Sequence, residues 1–504
     1  MNYTLVFSFF LLIPFANAQT LGWNKSYGGN GNEYSESIVT TSDGGFLVSG
    51  NTSSTNGNIT QNHGGQDAWV IKLSSQGALE WQKTYGGTGT DGFNYAIAAN
   101  DGGYIMVGFT ESNNGDVTEN KGLKDLWLVK TNATGTISWQ KTLGGSSADV
   151  ALSICSTSNG YYVSGVSSSL NGDVLGATAQ GDAWMLKINN TGAIQWQKAK
   201  GGTAYDEFAS VKPTADGGCV ALGTMYIDQF STKLYVVKFE STGTIQFEKS
   251  YGGAALDAGT DVVVTTTGEY VYSGTVKSTT GDVSNNHGKK DIWVVKANSV
   301  GAIVWQKTIG GSQDDEGSAL STNNKDEIFV GGFSASADGD VSINKGSSDV
   351  LLAKLNSSGS VQWVKAYGSV LTNLGNSITL GNNNNLVVAA TSTGSGGDVP
   401  VPAVDAARLI WVFSLDGVSA TKTLQDESFS FKIGPNPALD ELKINLEKQF
   451  SGRLEVRNAG GQLMFVKMIT QQEIVVNLQS LASGNYFATV INKDGHFTRS
   501  FIKF

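Results

Sequence analysis

The chain of 504 residues combines 64 Gly with only 6 Pro, 15% charged and 40% hydrophobic residues. This balance excludes disorder and fits a turn-rich all-β globular protein, long enough for a large core and one small extra domain. A formal net charge of −10 with no basic stretch excludes electrostatic capture of nucleic acid or anionic lipid.

The first element is an apolar run, "LVFSFFLLIPFANA", closing on Ala16-Asn17-Ala18, the small-residue pattern at which secretory signal peptides are cut. Residues 1–18 are therefore read as a signal peptide that leaves Gln19 first. The run is too short for a stable span and no other run of about 18 apolar residues follows, so no transmembrane segment is expected in the mature chain. Met1 to Tyr3 hold no Lys or Arg, leaving the terminal amine alone as the positive region, and the competing reading is a buried first strand. No cysteine follows the cleavage site, which argues against a lipoprotein anchor.

From there a phrase recurs. Trp23, Trp81, Trp139, Trp196, Phe247, Trp305 and Trp363 each open a near-copy of "WQKTYGG", at spacings of 58, 58, 57, 51, 58 and 58 residues. A unit this small cannot bury a core alone and is expected to stack on its copies. Inside each unit, short runs rich in aromatic and β-branched residues alternate with Gly, Asn and Asp, which reads as four strands joined by tight turns. A second aromatic marks the third strand, at Trp69, Trp127, Trp184, Tyr235, Trp293 and Trp411, with Leu351 in the remaining copy. These aromatics are read as core contacts between sheets. A lysine follows three residues later at Lys72, Lys130, Lys187, Lys238, Lys296 and Lys354, and is expected to be a solvated strand-edge residue.

Seven four-stranded units fit a seven-bladed β-propeller over residues 19–425, in which radial repetition leaves only short sheet edges. The rival, an open β-solenoid, usually has shorter coils. The outer-strand phrase occurs once before the first full unit, at Gly22 to Gly29, and only in degraded form after the last. Trp23 to Tyr27 is therefore expected to supply the fourth strand of the last blade, with Ser419 to Leu424 an extra edge strand or the start of a linker.

The loop between the second and third strands opens at Asn58, Asp116, Asp282 and Asp340 in four copies. In the second copy Thr118, Asn120, Gly122 and Asp125 follow. The sets Asp116, Asn120 and Asp125; Asp282, Asn286 and Asp291; and Asp340, Asn344 and Asp349 are calcium candidates, because Ca²⁺ accepts mixed carboxylate, amide and backbone oxygens. The competing reading has the same side chains bonding to nearby backbone N–H groups. The spacing departs from an EF-hand, with Gly seventh rather than sixth and no closing bidentate Glu.

Other chemistry is sparse. His63 and His287 occupy equivalent loop positions and His496 lies far along the chain, so no two are expected at one metal or in a triad. Glu33, Asp91, Asp206-Glu207 and Asp314-Asp315-Glu316 recur after the Gly-Gly turns and are expected to be solvated, although a carboxylate pair among them would suit glycoside chemistry. The Gly-Gly pairs do not precede helices, against phosphate binding. Cys155 and Cys219 sit at non-equivalent points of neighbouring copies and are expected to be buried free thiols. Copies four and seven break the loop pattern, which makes Tyr226, Tyr235, Asp228 and Arg408 candidates for ligand contact.

Beyond about residue 425 the rhythm ends, and alternating apolar runs with Gly-containing turns describe a separate small β-sandwich at 426–504. Pro435-Asn436-Pro437, then Leu442 to Leu446, Gly461-Gln462, Leu481 with Ser483-Gly484-Asn485-Tyr486, and Lys503 resemble the type A sorting domain of the type IX secretion system. The resemblance implies a Bacteroidota-type host, passage across the outer membrane, the type IX machinery as partner, and a product that is secreted or held on the outer-membrane surface. The repeats resemble the propeller repeats common in secreted bacterial and archaeal proteins, and more distantly those of quinoprotein propellers, whose cofactor site is not identifiable here.

Function is accordingly read as a secreted or cell-surface propeller that binds or adheres to an extracellular glycan or protein. No catalytic or cofactor-binding residue is identifiable, so the chain is expected not to be an enzyme. The alternatives are a polysaccharide lyase or glycosidase, and a structural surface protein.

Overall fold

The computed structural model describes residues 19–178, 181–401, 407–418, 431–446, 452–458, 463–469, 471–492 and 495–504. Two units result, Gln19–Val418 and a second that includes the chain from Ser419 to Phe504. The repeat unit is described as far as Val418, and Ser419 to Leu424, with the boundary expected near residue 425, lie outside the described residues.

One copy explains the others. In the second, Asp91–Ala98, Tyr104–Thr110, Asp125–Thr131 and Ile137–Leu143 form consecutive antiparallel strands. Its first hairpin turns at Asp101-Gly102, where the aspartate Oδ1 accepts the Gly103 N–H at 3.0 Å and Gly102 takes the left-handed φ of 81° that the turn needs. In the last hairpin, Asn132 Oδ1 accepts the N–H groups of Thr134 and Thr136. The third strand is buried along its whole length because both faces are covered by neighbouring sheets. Trp127 is fully buried there, and its Nε1 donates to Gln140 Oε1 at 3.0 Å. Trp69, Trp184 and Trp293 make the same bond to Gln82, Gln197 and Gln306, which gives the Gln of the repeated phrase its role.

Seven such sheets follow one another. Blades 1 to 6 start at Glu33, Asp91, Asp149, Asp206, Asp257 and Asp315, and blade 7 at Asn373. Blade 7 takes its outer strand from the other end of the chain: Thr20–Tyr27 pairs antiparallel with Leu409–Asp416. The expected closure is therefore observed. The recurring outer tryptophan lies half-buried on the next blade, where Trp23, Trp196 and Trp305 donate Nε1 to the turn carbonyls of Ser75, Ser241 and Ser357. Cys155 and Cys219 are free, buried members of one apolar cluster.

The third-strand lysines overturn the solvated expectation. Lys72, Lys130, Lys187, Lys238 and Lys354 are at most 9% exposed. Lys72 reaches Asp43 at 2.8 Å and Glu80 at 2.9 Å, Lys130 reaches Asp101, Lys238 reaches Asp216 and Lys354 reaches Glu327, the last three at 2.8 Å. In these four the alkyl stem is covered by adjoining sheets while the ammonium runs to the acid of the first hairpin turn, so burial and pairing coexist, whereas Lys187 reaches the Ser241 carbonyl at 3.3 Å. Lys296 pairs with Glu269 in the same way and is less covered.

The C-terminal unit is a small sandwich, as expected. A sheet of Phe431–Gly434, Glu441–Leu446 and Glu473–Asn477 accompanies one of Leu463–Ile469, Gly452–Asn458, Gly484–Asn492 and Gly495–Lys503. Leu442, Ile444, Leu454, Val456, Val476 and Val490 share its core.

Candidate functional site

The innermost strand of every blade carries a bulge at its fourth residue, placing one side chain per blade on the channel wall. These are Glu36, Asn94, Leu152, Ala209, Thr260, Ser318 and Asn376, which differ in size, polarity and charge. All seven line one cavity of about 580 Å³. Glu36 is the single carboxylate of that ring. Burial pushes its carboxyl up to about 7.

Three further residues break the repeat on blades 2, 4 and 5. Lys212 Nζ lies 3.4 Å from Asp261 Oδ1 and 3.3 Å from the Tyr95 hydroxyl, and stands 5.1 Å from the Tyr95 ring centroid. Blades 2, 4 and 5 are thereby tied through the channel. Burial alone would lower the lysine value, but the Asp261 charge and the tyrosine outweigh it and raise it. Asp261 also accepts from Ser210 Oγ at 2.6 Å and from Leu320 N–H at 2.9 Å, so its charge is fixed in place.

Nearer the end where the inner strands begin, the second residue of the strand also lines the cavity in blades 4, 5 and 6, as Glu207, Ala258 and Glu316. Lys290 pairs with Glu316 at 2.8 Å. Glu207 accepts the Tyr205 hydroxyl at 3.2 Å, and its carboxyl is raised by burial. Tyr205 meets Tyr226 edge to face with centroids 5.8 Å apart, and both rings are over a third exposed. Blade 4 lacks the long loop of the other blades and instead extends Cys219–Asp228 and Ser231–Phe239 as one hairpin, leaving this side of the mouth open.

The residues singled out from sequence fall in other places. Asp116 accepts the Gly86 N–H at 3.2 Å, Asn120 bonds the Thr110 carbonyl and the Gly122 N–H, and Asp125 accepts the Lys121 N–H at 2.7 Å. Asp282, Asn286 and Asp291 repeat this with Gly252, Val276 with Gly288, and His287, and Asp340, Asn344 and Asp349 with Gly310, Ser334 with Gly346, and Lys345. Each side chain in a set grips a different stretch of backbone. Among the described residues no three His, Cys, Asp or Glu side chains gather as a metal site.

Of the acids after the Gly-Gly turns, Asp314, Glu207 and Glu316 are partly exposed and the others are not solvated. Glu33, Asp91, Asp206 and Asp315 are completely buried, held by hydroxyls such as Ser112 and Ser336 and by backbone N–H groups. Of the loop candidates, Tyr226 lines the cavity, whereas Tyr235 is a buried core ring stacked on Phe208. Asp228 caps its hairpin turn, accepting from Phe230 N–H, and the Arg408 guanidinium lies 4.9 Å from the Tyr34 ring centroid. Sequence reading missed Glu36, Tyr95, Lys212 and Asp261; the signal was their being one-off residues at a position shared by seven strands.

In the C-terminal unit the motif residues converge on the last strand. Asn436 Oδ1 accepts the Ile502 N–H at 3.0 Å, and Ala438 exchanges backbone bonds with Ile502 and Phe504. Tyr486 stacks on Phe501 and donates to the Ala482 carbonyl, and Lys503 is buried with Nζ on the Phe504 carbonyl. Pro435 and Pro437 flank Asn436 on the surface, Gly484 starts its strand, and Gly461 and Gln462 lie outside the described residues.

The fold is thus a seven-bladed β-propeller followed by a β-rich C-terminal domain. Residues 432–503 match the family described as a secretion system C-terminal sorting domain. This domain makes the chain a secreted protein of the cell surface or outer membrane, with the type IX secretion machinery as a partner. The Neurospora crassa Pan2 WD40 domain is similar at 12% identity, covering 79% of this chain and 96% of that one with a TM-score of 0.45. PorZ, a surface component of the type IX secretion system of Porphyromonas gingivalis, is similar at 11% identity over 92% of this chain and 69% of its own, with a TM-score of 0.31. The extracellular domain of a hybrid two-component system of B. thetaiotaomicron is similar at 9% identity, over 96% and 59%, with a TM-score of 0.41. No curated protein matches the sequence.

Proposed function

We propose that the protein is a secreted binding module that captures an extracellular ligand in the mouth of its central channel and performs no chemistry on it. The observation that carries this reading is where the seven copies differ. Their buried positions repeat, whereas the channel wall carries Glu36, Tyr95 and Asp261 once each, the last two joined by Lys212, around a cavity of about 580 Å³, a size suited to a small ligand or a protruding group. A ring serving only as scaffold has no use for such asymmetry.

The test is array binding, with glycans and surface proteins as probes, of the exported protein and its Tyr226→Ala and Glu207→Gln variants. Binding that both variants lose supports the channel. Binding that neither loses moves the site elsewhere, and absence of any binder favours a structural surface role. A second reading, cleavage of polysaccharide, rests on Glu36, whose carboxyl near 7 would suit a general acid or base. That reading expects oligosaccharide release that Glu36→Gln abolishes.

A further inference from the structure

The cavity's charge does not balance. Its wall presents Glu36, Glu207, Asp261 and Glu316. Lys212 serves Asp261 and Lys290 serves Glu316. Among the described residues neither Glu36 nor Glu207 has a cationic partner, and Glu207 holds only the Tyr205 hydroxyl. Both are partly covered on the cavity wall, where a carboxylate without a counter-charge is less well solvated than on the open surface.

The surroundings say what would relieve that cost. Glu36 shares its ring level with Asn94 of blade 2, whose amide nitrogen is spent on the Ala151 carbonyl and whose oxygen remains an acceptor, and with Asn376 of blade 7, whose oxygen takes the Thr391 N–H. Glu207 stands beside the exposed Tyr205 and Tyr226 rings, and aromatic faces attract cations. The Lys212 and Lys290 ammonium groups are already engaged, so among the described residues an anionic ligand would meet two carboxylates without a cationic partner and no free cation on the cavity wall. A neutral ligand would leave both uncompensated.

Resting on the binding reading above, we propose that the channel receives a small organic cation, an amine or guanidine compound whose N–H donors meet Glu36 and Glu207 and whose carbon frame lies along Tyr226. Metal ions fit poorly, since no three carboxylate or imidazole groups converge there among the described residues. Because such a ligand favours ionised Glu36, binding near pH 7 releases a proton.

Isothermal titration of the full chain with spermidine tests this, with sucrose and citrate as neutral and anionic controls. The expected result is saturable binding of spermidine alone, a heat that changes with the buffer's ionisation enthalpy, and at least a tenfold loss of affinity in Glu36→Gln and in Glu207→Gln. Glu119→Gln, an exposed loop acid, controls for the general negative surface, and unchanged melting curves show that the variants fold. No saturable spermidine binding, or equal affinity in Glu36→Gln, Glu207→Gln and Glu119→Gln, overturns the proposal. If an array ligand is lost in Tyr226→Ala while spermidine fails, the channel remains a binding site and only its charge class falls.

Discussion

Asp125 Oδ1 and Asp149 Oδ2 converge from neighbouring blades on Gly144, each 2.6 Å from the point a β-carbon there would occupy. The arrangement recurs where Asp67 and Asp91 face Gly86, Asp182 and Asp206 face Gly201, and Asp291 and Asp315 face Gly310. It accounts for the first glycine of the repeated Gly-Gly pair. Asp149 cannot yield, being held by the Gly145 N–H at 2.8 Å, by Ser169 Oγ at 2.7 Å and by Ser167 Oγ. Gly144→Ala is therefore expected to cost about 1–3 kcal/mol in denaturant unfolding, the usual penalty for overpacking a rigid site. Gly202, with nothing within 4 Å of its β-carbon position, is the control, and Gly202→Ala should stay within about 0.5 kcal/mol of the parent.

The same carboxyl pairs set a pH dependence. Asp67, Asp125 and Asp291 are raised above the ordinary carboxylate range, first by burial and then by the facing Asp91, Asp149 and Asp315. Their Oδ1 atoms have no hydrogen-bond partner. A group raised on folding stabilises fully below its unfolded value, about 4 for Asp, and that contribution is lost as pH rises through the folded value. Asparagine cannot ionise, and blade 7 already uses Asn373 in such a pair, facing Asp349. Asp125→Asn should therefore be more stable than the parent at pH 8, with the gain vanishing toward pH 4. A variant less stable than the parent at pH 8 would contradict the assignment.

These pairs show where sequence reading stops. The four-strand unit, the buried third-strand tryptophans and the closing strand at Trp23 to Tyr27 were legible because they are periodic, and alternation of apolar residues maps directly onto sheet faces. Asp91 and Lys72 were misjudged as solvated because their partners, Ser112 and Asp43, lie a hairpin away or further, and no local pattern separates a solvated charge from a satisfied buried one. Glu36 was overlooked for the opposite reason. A single substitution in a seven-fold repeat looks like drift until the bulge register shows that its side chain faces the channel.

Lys238 and Asp216 separate the value of a buried ion pair from the cost of breaking it. The lysine side chain is 3% exposed and the aspartate 45%. Lys238→Met keeps the stem and removes the charge that needed a partner, so it should change stability by less than about 1 kcal/mol near pH 7. Asp216→Asn leaves the ammonium with the Phe239 carbonyl as its remaining bond and should cost about 1–2 kcal/mol. The Asp216 carboxyl, which burial would raise, is held down at about 2 by Lys238 and neighbouring donors. Its contribution is present above about pH 4 and is lost as pH falls toward the folded value, a loss that Lys238→Met should lessen in acid melting curves.

Closure of the ring makes the strongest demand on the N-terminal strand. In blades 1, 2, 3 and 5 a glutamine of the same blade's outer strand holds the buried tryptophan, whereas in blade 7 Trp411 Nε1 donates to Asn24 Oδ1 at 2.6 Å, from the opposite end of the chain. The Trp23 N–H bonds Ser414 Oγ at 3.0 Å, and its ring meets Phe46 of blade 1 at 5.9 Å. Asn24→Ala should leave a buried indole N–H unpaired and cost about 1–3 kcal/mol. Deleting residues 19–27 does more, because it strips the edge of Leu409–Asp416 of a whole strand and uncovers the turn at Ser75 to Gly77 of blade 1. Hydrogen exchange should then rise in Asn373–Asp416 and Glu33–Tyr85 while Asp206–Tyr251, on the far side of the ring, keeps its protection. Equal exchange in all three segments would mean that the ring holds without its closing strand.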